Sequence, residues 1–410
     1  MALPEPLSGL PLSGVRVLDF GTTVAAPTAA RCLGDFGAQV IKIESAVHPD
    51  TLRVGTPYPG GTPGINRSGY FAAYNAGKLS FALNLKAPGA NEIVRRLVEC
   101  SDVLIEAYVP GVMDRFGLSY DQLRQWNPQL IMASHCLEGQ SGPYSKHRGY
   151  GQIASAMTGW YDLTGDEGES PYGPYSAYTD FIAWPFLVVA ILAALEVRDV
   201  TGRGQHIDQA QVETSVHFLA PSLLDLEVNG RMLTRRGNRE DYAAPNNTYR
   251  CRDDDRWVAI SVLDDEQWLA LCAQMGRNDF ATDPRFATLP DRQRHRQELD
   301  AEIDSWTATK ESAALMESLQ AAGVPAGIVA RASDLLSDPQ LATREFFRRL
   351  PHPEIGEHAV LTQSFRVSEM SPGPWRAAPL LGEHTHAICR ELLGMRDQEI
   401  ANYTAAGMFE

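Results

Sequence analysis

One carboxylate in this sequence is placed where it could carry out covalent chemistry. Asp180 follows a segment rich in Gly, Pro and Tyr (165–180) and precedes an apolar run (181–195) that predicts a buried helix. Such a carboxylate can simply cap the helix by accepting from the free N–H groups of its first turn. The same place also favours the ionised carboxylate through the helix dipole, and so suits a nucleophile. Spacing alone leaves both interpretations open.

A second set of candidates consists of cations near predicted loops. Lys86, Arg115 and Arg148 each lie just beyond a predicted βα element, where loops would border a crevice. Each alone is typical of a surface charge, but together they are candidate phosphate contacts, because phosphates need cations or amide donors. The run DRQRHRQ (291–297) lies instead on a predicted polar helix flanked by acids, which predicts a solvated face.

Three other motifs resemble a metal site, a catalytic dyad and a dinucleotide-binding loop, but none has the full pattern that its function requires. His384 and His386 form an H-x-H pair without a third ligand of suitable spacing, so we predict no metal site. Cys136 adjoins His135, but neighbouring strand residues point to opposite faces, which argues against a direct Cys–His dyad. The loop GTTVAAP (21–27) has one glycine where a dinucleotide fingerprint needs three, which argues against a nicotinamide or flavin site.

Composition limits the classes of partner. The 410 residues predict two or three structural units, and 36 basic against 51 acidic residues give a net charge of -15. That charge repels polyanions, so we expect no nucleic-acid binding and require a local group of cations for any anionic ligand. Six scattered cysteines without a C-x-x-C pair, no signal-peptide pattern and an apolar run interrupted by Pro185 predict a cytoplasmic protein without a membrane span.

Apolar runs separated by helical patterns predict an α/β fold with a mostly parallel sheet covered on both faces. The predicted strands are 15–20, 38–44, 80–85, 102–106 and 130–135, with helices at 91–100 and 120–126. A short strand at 201–208 and a long helix up to about 227 follow. Downstream, the patterns predict a hairpin at 248–262, polar helices at 265–275, 291–307 and 310–321, and a buried strand at 325–330. We therefore predict a large domain from residues 1–227 and 326–410, and a small inserted domain from 228–325.

Several blocks together resemble the family III CoA-transferases, also called the CaiB/BaiF family. They include LSGVRVLDFGTTVAAPTAARCLGDFGAQVIKIE at the start, YNAGKLSFALNLK (74–86), SDVLIEAYVPGVMDRFGL (101–118), NPQLIMASHCLEGQSGP (127–143), the block 178–208, GVPAGIV (323–329) and APLLGEHT (378–385). The resemblance covers nearly the whole chain in order. It implies a Rossmann-like large domain built from both chain ends, a smaller inserted α+β domain, and an interlocked dimer.

The resemblance also implies a reaction and a set of site residues. CoA moves from a donor acyl-CoA to an acceptor carboxylic acid through an aspartyl anhydride and an aspartyl-CoA thioester, with Asp180 as the nucleophile. No metal and no resident cofactor are implied, since CoA is a substrate. The implied CoA-binding residues are Val24, Ala25, Leu83, Lys86, Tyr108, Arg115, Arg148 and Tyr150. The implied partner is a second copy of the chain, or a paralogous chain in a heteromer.

The chain departs from the oxalate-type members in three places. Val24 and Ser45 replace a glutamine and an arginine, and REDYAAP (239–245) replaces a glycine run that acts as a lid. We therefore expect a bulkier, less mobile lid and no oxalate or formate chemistry. The flanking segments are rich in tyrosine and instead resemble those of members that act on aryl or branched dicarboxylates. For such a reaction, succinyl-CoA is a candidate donor.

Two other functions stay open at this point. A 2-methylacyl-CoA racemase would place its catalytic histidine at Tyr150, and tyrosine is a poor base at neutral pH. A non-catalytic CoA-binding subunit of a heteromer is the other alternative, although it would not need Asp180. Four aromatic residues near Asp180 either line an acceptor pocket or pack structurally: Tyr172, Tyr175, Tyr178 and Trp184.

Overall fold

The structure is a computed structural model that describes residues 2–5 and 7–410. It divides into two compact units. The larger comprises Met1–Asp162, Tyr172–Leu233 and Gln340–Glu410, and the smaller comprises Leu163–Pro171 and Thr234–Pro339. The domain boundaries drawn from the sequence, after residues 227 and 325, stay a prediction.

The elements follow one another along the chain, with strands and helices alternating in its first half. The strands are β1 Arg16–Asp19, β2 Gln39–Glu44, β3 Leu79–Ala82, β4 Val103–Glu106, β5 Ile131–Cys136, β6 His206–Ala210, β7 Asn246–Arg250, β8 Trp257–Ser261, β9 Ala326–Ile328, β10 Phe347–Leu350 and β11 His358–Leu361. The helices are α1 Ala25–Asp35, α2 Gly69–Asn75, α3 Ala90–Glu99, α4 Val112–Arg115, α5 Tyr120–Trp126, α6 Gly151–Met157, α7 Trp160–Leu163, α8 Tyr178–Thr201, α9 Gln211–His217, α10 Ala220–Asn229, α11 Asp265–Met275, α12 Leu289–Arg294, α13 Arg296–Thr307, α14 Ser312–Ala321, α15 Ala332–Leu336, α16 Pro339–Thr343, α17 Thr385–Ala387 and α18 Asp397–Ala405. Short 3-10 turns lie at Thr51–Val54, Pro59–Gly61 and Asn278–Ala281, and a π turn at Ile388–Leu392.

The larger unit is built on a six-stranded sheet with the order β3-β2-β1-β4-β5-β6. Each neighbouring pair in this sheet is parallel. The parallel α/β sheet predicted from the apolar runs is confirmed. The strand order reverses between β1 and β4, and ligands of such sheets bind where the carboxyl ends of the strands meet at that reversal.

Helices cover both faces of this sheet. On one face, α3 buries Ile93, Val94, Leu97 and Val98 completely, which confirms the amphipathic helix predicted there. Each such side chain contributes roughly 2 kcal/mol on burial. On the other face, α8 packs its inner side against β4 and β5. The sheet edge at the carboxyl ends is therefore held rigidly between two cores.

The helix α8 is only half buried, so the prediction of a buried helix is wrong for its outer face. Leu187 and Ile191 are fully buried in the core, whereas Val189 and Val200 are 65% and 87% exposed. By length and composition α8 is apolar enough to cross a membrane, and a third of that stretch is buried inside the protein. The core helix of a soluble protein passes the same test. Its buried face explains part of its apolar character.

Two other predicted elements differ from the structure. The long helix expected up to about 227 is broken into α9 and α10 around residues 218–219. The break fits Pro221, because proline lacks an N–H donor and is accepted only in the first turn of a helix. The strand expected to be buried at 325–330 is the half-buried β9, which pairs antiparallel with β8.

The smaller unit has its own core beneath the three-stranded sheet β7-β8-β9. Arg292, inside the run predicted to be a solvated face, is 1% exposed. Its guanidinium lies 5.0 Å from the ring centroid of Trp268 and donates to the carbonyls of Ala244 (2.8 Å) and Phe286 (3.3 Å). The prediction of a solvated face is wrong at this position, because α12 turns this one residue inward.

Candidate active site

Asp180 lies in the first turn of α8 and is 6% exposed. The helix begins at Tyr178 after Ala177, so Asp180 stands inside the turn and does not cap it. The interpretation of Asp180 as a helix cap is therefore wrong. The chain enters the helix through Ser176, whose φ of 60° lies in the left-handed region. This turn directs the Asp180 side chain into a cavity.

Burial dominates the electrostatics of Asp180. Desolvation raises the pKa of its carboxyl to about 6, while interactions with the Gln211 side chain and the Gly151 backbone N–H lower it. Desolvation outweighs the interactions that favour the charged form, so the pKa of Asp180 lies above that of a solvated aspartate. At neutral pH the carboxylate is mostly ionised, yet it is more basic than a solvated aspartate. Both properties suit a nucleophile.

Gly151, the first residue of α6, allows the Asp180 carboxylate to approach the backbone closely. A Cβ added at this glycine would lie 2.9 Å from Asp180 Cγ, 2.9 Å from Asp180 Oδ2 and 2.8 Å from Ala177 Cβ. Real Cβ atoms essentially never approach other atoms that closely. The missing side chain therefore sets the position of the carboxylate.

A cavity of about 390 Å³ opens beside Asp180 at the carboxyl ends of β1, β4 and β5. Five of the sequence-predicted residues line it together with Asp180: Val24, Ala25, Tyr108, Arg148 and Tyr150. They come from the loop after β1, the loop after β4 and the segment before α6. The structure thus brings most of the predicted site together around one carboxylate.

A second cavity of about 340 Å³ adjoins the first, because Thr22, Tyr108 and Val112 line both. Leu83 and Lys86 line this second cavity. The remaining predicted residue, Arg115, is exposed at the end of α4 and lines neither cavity. Its neighbour Phe116 does line the second cavity.

A buried ion pair fixes the loop after β1. Lys42 and Asp50 are joined at 2.9 Å, and Lys42 Nζ donates to the carbonyl of Gly21 at 2.6 Å. Asp50 Oδ1 accepts from the backbone N–H of Thr23 at 3.1 Å. Thr23 has a φ of 69°, which a non-glycine residue adopts only when its surroundings hold it there. The wall of the first cavity is therefore rigid next to Val24.

Comparison with known proteins decides the family. The model of CoA-transferase family III matches residues 12–385. The chain belongs to CoA-transferase family III. A solved CaiB/BaiF family protein from Brucella suis is similar at 33% identity with a TM-score of 0.85, over 93% of this chain and 99% of that one.

Relatives with named activities extend the comparison. The chain is 35% identical to a probable CoA-transferase, Rv1866, of Mycobacterium tuberculosis, over 97% of this chain but 50% of that protein. It thus spans half the length of that relative. It is 32% identical to a succinyl-CoA–D-citramalate CoA-transferase of Chloroflexus aurantiacus, over 95% of this chain and 96% of that one.

Two predicted phosphate contacts of this family III chain, Lys86 and Arg148, line the cavities. Lys86 Nζ lies 2.9 Å from His48 Nε2, and both side chains are exposed at the second cavity. No ion pair joins Lys86 or Arg148 to an acid in the part of the chain that the structure describes. These cations remain available to an anion, and a chain with a net charge of -15 needs such local cations to bind an anionic ligand.

The four aromatic residues predicted near Asp180 do not line the first cavity. Tyr175 is 95% exposed, and Tyr178 packs against Trp160 with ring centroids 5.0 Å apart. Tyr70 and Tyr74 lie near Asp180 instead, and the Asp180 charge together with burial raises the pKa of both hydroxyls. Both tyrosines belong to α2, which is more than 100 positions from Asp180 in the sequence.

Sequence reasoning missed three residues that contact the carboxylate or its neighbours: Gly151, Gln211 and His135. His135 and Gln211 both line the first cavity. A usable signal was present, because both lie at or just beyond carboxyl ends of parallel strands, where ligand sites form. Cys136 also lines this cavity, and burial raises the pKa of its thiol to about 12. Among the described residues, no group of three or more His, Cys, Asp or Glu could hold a metal ion.

Proposed function

We propose that the chain transfers CoA between carboxylic acids and that Asp180 is the nucleophile. The Asp180 carboxylate attacks the thioester carbonyl of the donor acyl-CoA, the C–S bond breaks, and a mixed anhydride and CoA thiolate form. The thiolate then attacks the aspartyl carbonyl, which releases the donor acid and leaves an aspartyl-CoA thioester. The acceptor carboxylate repeats these steps in reverse order and regenerates the free carboxylate.

The observation that carries this proposal is the buried, ionisable Asp180 at the wall of a cavity. With a pKa of about 6, it is ionised at neutral pH and basic enough to attack a thioester. Its 6% exposure limits the access of water, to which an anhydride would be lost. The proposal agrees with the family to which the chain belongs.

We propose that CoA extends through the two adjoining cavities. The thioester would lie in the first cavity, between Asp180 and the loop carrying Val24 and Ala25. The nucleotide end would lie in the second cavity beside Leu83 and Lys86. Among the residues that the structure describes, none is an acidic partner of Arg148 or Lys86, which supports roles for both as phosphate contacts. Tyr108 lines both cavities and would contact the linker between the two ends.

The proposed donor is succinyl-CoA, and the proposed acceptor is an aryl or branched carboxylate or dicarboxylate. The Chloroflexus relative supports the branched type, since its name specifies succinyl-CoA and D-citramalate, a methyl-branched dicarboxylate. The aromatic pair Tyr74 and Phe181, with ring centroids 6.3 Å apart, adjoins the nucleophile and supports an acceptor with an apolar part. A matrix of acyl-CoA donors against carboxylate acceptors identifies the preferred pair.

Mass spectrometry tests the nucleophile directly. After incubation with succinyl-CoA and hydroxylamine, we expect a hydroxamate on Asp180 and none on Glu138, the other carboxylate lining the cavity. The proposal would be wrong if Asp180→Ala still transferred CoA and Asp180 remained unmodified in the wild type. A racemase would instead place solvent deuterium at the α-carbon of an acyl-CoA without a second acid. A non-catalytic subunit would be inactive when the chain is expressed alone.

We further propose a homodimer in the cytoplasm. The outer face of α8 and the helix α10 leave large apolar side chains exposed, including Val189, Val200, Leu224 and Val228. Patches of this kind are typical of protein interfaces. The six cysteines are all free, which fits a reducing compartment. Light scattering of the purified chain tests the dimer, and a heteromer would require a paralogous chain for activity.

A further inference from the structure

We infer that His135, Gln209 and Gln211 form a hydrogen-bonded chain that directs the Gln211 carboxamide toward the Asp180 carboxylate. Gln211 and His135 are then positioning residues for the nucleophile. The inference rests on the proposed function of Asp180, and it adds to that function the means by which the carboxylate is held. These residues and Asp180 lie on β5, β6, α9 and α8, and His135, Gln211 and Asp180 line the first cavity.

The chain of hydrogen bonds begins at Gln209, the penultimate residue of β6. Its Nε2 donates to the carbonyl of Ala183 at 3.0 Å and lies 3.2 Å from Thr214 Oγ1. These partners fix the amide with its nitrogen toward α8 and α9. Its Oε1 consequently faces His135 Nδ1 at 2.8 Å and accepts from it.

His135 passes this orientation to the next amide. The ring is 1% exposed, and burial lowers the pKa of His135 to about 4, so the imidazole is neutral at physiological pH. A neutral ring with its proton on Nδ1 has an acceptor at Nε2. Gln211 Nε2 lies 3.2 Å from that atom and donates to it. The carboxamide nitrogen of Gln211 is thereby turned toward the histidine side of the cavity.

Thr179 fixes the other end of the Gln211 amide. Its Oγ1 lies 3.1 Å from Gln211 Oε1 and 3.1 Å from the carbonyl of Gly151, and its proton is shared between them. With Oε1 held by Thr179 and one N–H held by His135, the amide cannot rotate. Its second N–H is free to interact with the Asp180 carboxylate, next to the Gly151 backbone N–H.

A purely structural role does not account for this arrangement. His135, Thr179 and Gln211 are each less than 7% exposed, and burying three polar side chains gains little stability over apolar residues of the same shape. The arrangement does stabilise the charged form of Asp180, since donors aimed at a carboxylate lower its pKa. The phenols of Tyr70 and Tyr74 lie near Asp180, and burial together with the Asp180 charge raises the pKa of both. The charged side chains of Glu138 and Arg148 line the same cavity, and the substitutions below leave both unchanged.

The experiment measures hydroxylamine labelling of Asp180 in the full-length chain between pH 5 and 8. The probe is whichever of succinyl-CoA, acetyl-CoA and benzoyl-CoA labels the wild type most strongly. For Gln211→Leu we expect the pH midpoint of labelling to rise by about one unit. From a midpoint of about 6, labelling then falls about fivefold at pH 6 and about twofold at pH 7.

Two further variants separate positioning from packing. His135→Phe removes the acceptor for Gln211 but retains a ring, and we expect the same upward shift of the midpoint. His135→Gln supplies an amide oxygen as a new acceptor, and we expect the midpoint to return toward the wild-type value. Gln363→Leu is the matched control, because Gln363 donates at 2.7 Å to the buried Asp35 and lines neither cavity. We expect no change in Asp180 labelling for this control.

The outcomes distinguish the inference from the function on which it rests. A wild type that no acyl-CoA labels would overturn the proposed function, and the inference with it. A labelled wild type with unchanged midpoints in Gln211→Leu and His135→Phe would overturn the inference alone. If circular dichroism finds either variant unfolded, Gln211→Glu replaces it. The introduced carboxylate has the shape of the original amide, and its negative charge next to Asp180 must raise the pH midpoint of Asp180 labelling. An unchanged midpoint in this variant would therefore also overturn the inference.

Discussion

Replacing Gly151 with alanine should displace the nucleophile with little effect on the fold. The added Cβ would lie 2.9 Å from both Cγ and Oδ2 of Asp180, whereas ordinary contacts begin at 3.4 Å. The carboxylate must therefore move by about 0.5 Å or more. A misplacement of about 1 Å can cost about 100-fold in rate, so we expect kcat to fall about 10- to 100-fold.

The KM for the acyl-CoA should change little in Gly151→Ala, because Asp180 does not hold the nucleotide. The fold should persist, since alanine in place of glycine favours a helix by up to about 1 kcal/mol. That gain offsets part of the clash with Ala177. Steady-state kinetics and thermal unfolding measure the two effects separately.

The matched control for this substitution is Gly327→Ala. Gly327 has an ordinary φ and no atom within 4 Å of an added Cβ, so this variant should retain wild-type kcat. The reasoning would be refuted by a folded Gly151→Ala protein whose kcat lies within threefold of the wild-type value. Hydroxylamine labelling of Asp180 should fall in parallel with kcat. A loss of kcat with undiminished labelling would also contradict a displaced nucleophile.

Three other predictions concern charge. Protonation removes the nucleophile below the pKa of Asp180, so kcat/KM should fall as pH decreases through about 6, which a pH–rate profile measures. Arg148→Glu should raise the KM for the acyl-CoA about tenfold or more, whereas Arg294→Glu, on the exposed face of α12, should leave it within twofold. Arg292→Leu should lower the free energy of unfolding by about 2–3 kcal/mol in urea titrations, because buried hydrogen bonds are lost, and Arg294→Leu should not.

The sheet could be predicted because its strands are local signals. Each central strand is an uninterrupted apolar run, as expected when helices cover both faces, and the structure confirms the runs around Leu18, Ile41 and Leu104 as parallel strands. The position of Asp180 near the start of an apolar helix was equally visible, although the helix begins two residues before it. The state of that carboxylate was not, because desolvation depends on what the fold packs around it and not on its neighbours in sequence.

The contacts that shape the site link residues far apart in the chain. Gln211 meets His135 across 76 positions, and Asp50 holds Thr23 across 27. No periodicity encodes such pairs, since they exist only once the strands have been ordered. The burial of Arg292 could not be predicted either, because nothing in the local sequence distinguishes the one charged residue of the run that enters a core. Sequence patterns therefore selected several residues that line one cavity, but not the polar groups that hydrogen-bond around Asp180.

The net charge of -15 says less about ligand binding than the pairing of individual cations does. Three cations of the larger unit, Lys42, Arg53 and Lys78, are buried and each is joined to a buried carboxylate. They are neutralised within the core and cannot attract a phosphate. Charges beyond about 8 Å are largely screened at physiological salt, so the acidic surface acts weakly at the cavities. The local field there depends on Lys86 and Arg148, which have no acidic partner among the described residues. An acidic protein can bind an anionic ligand for this reason, since charges in contact with the ligand outweigh the average charge of the distant surface.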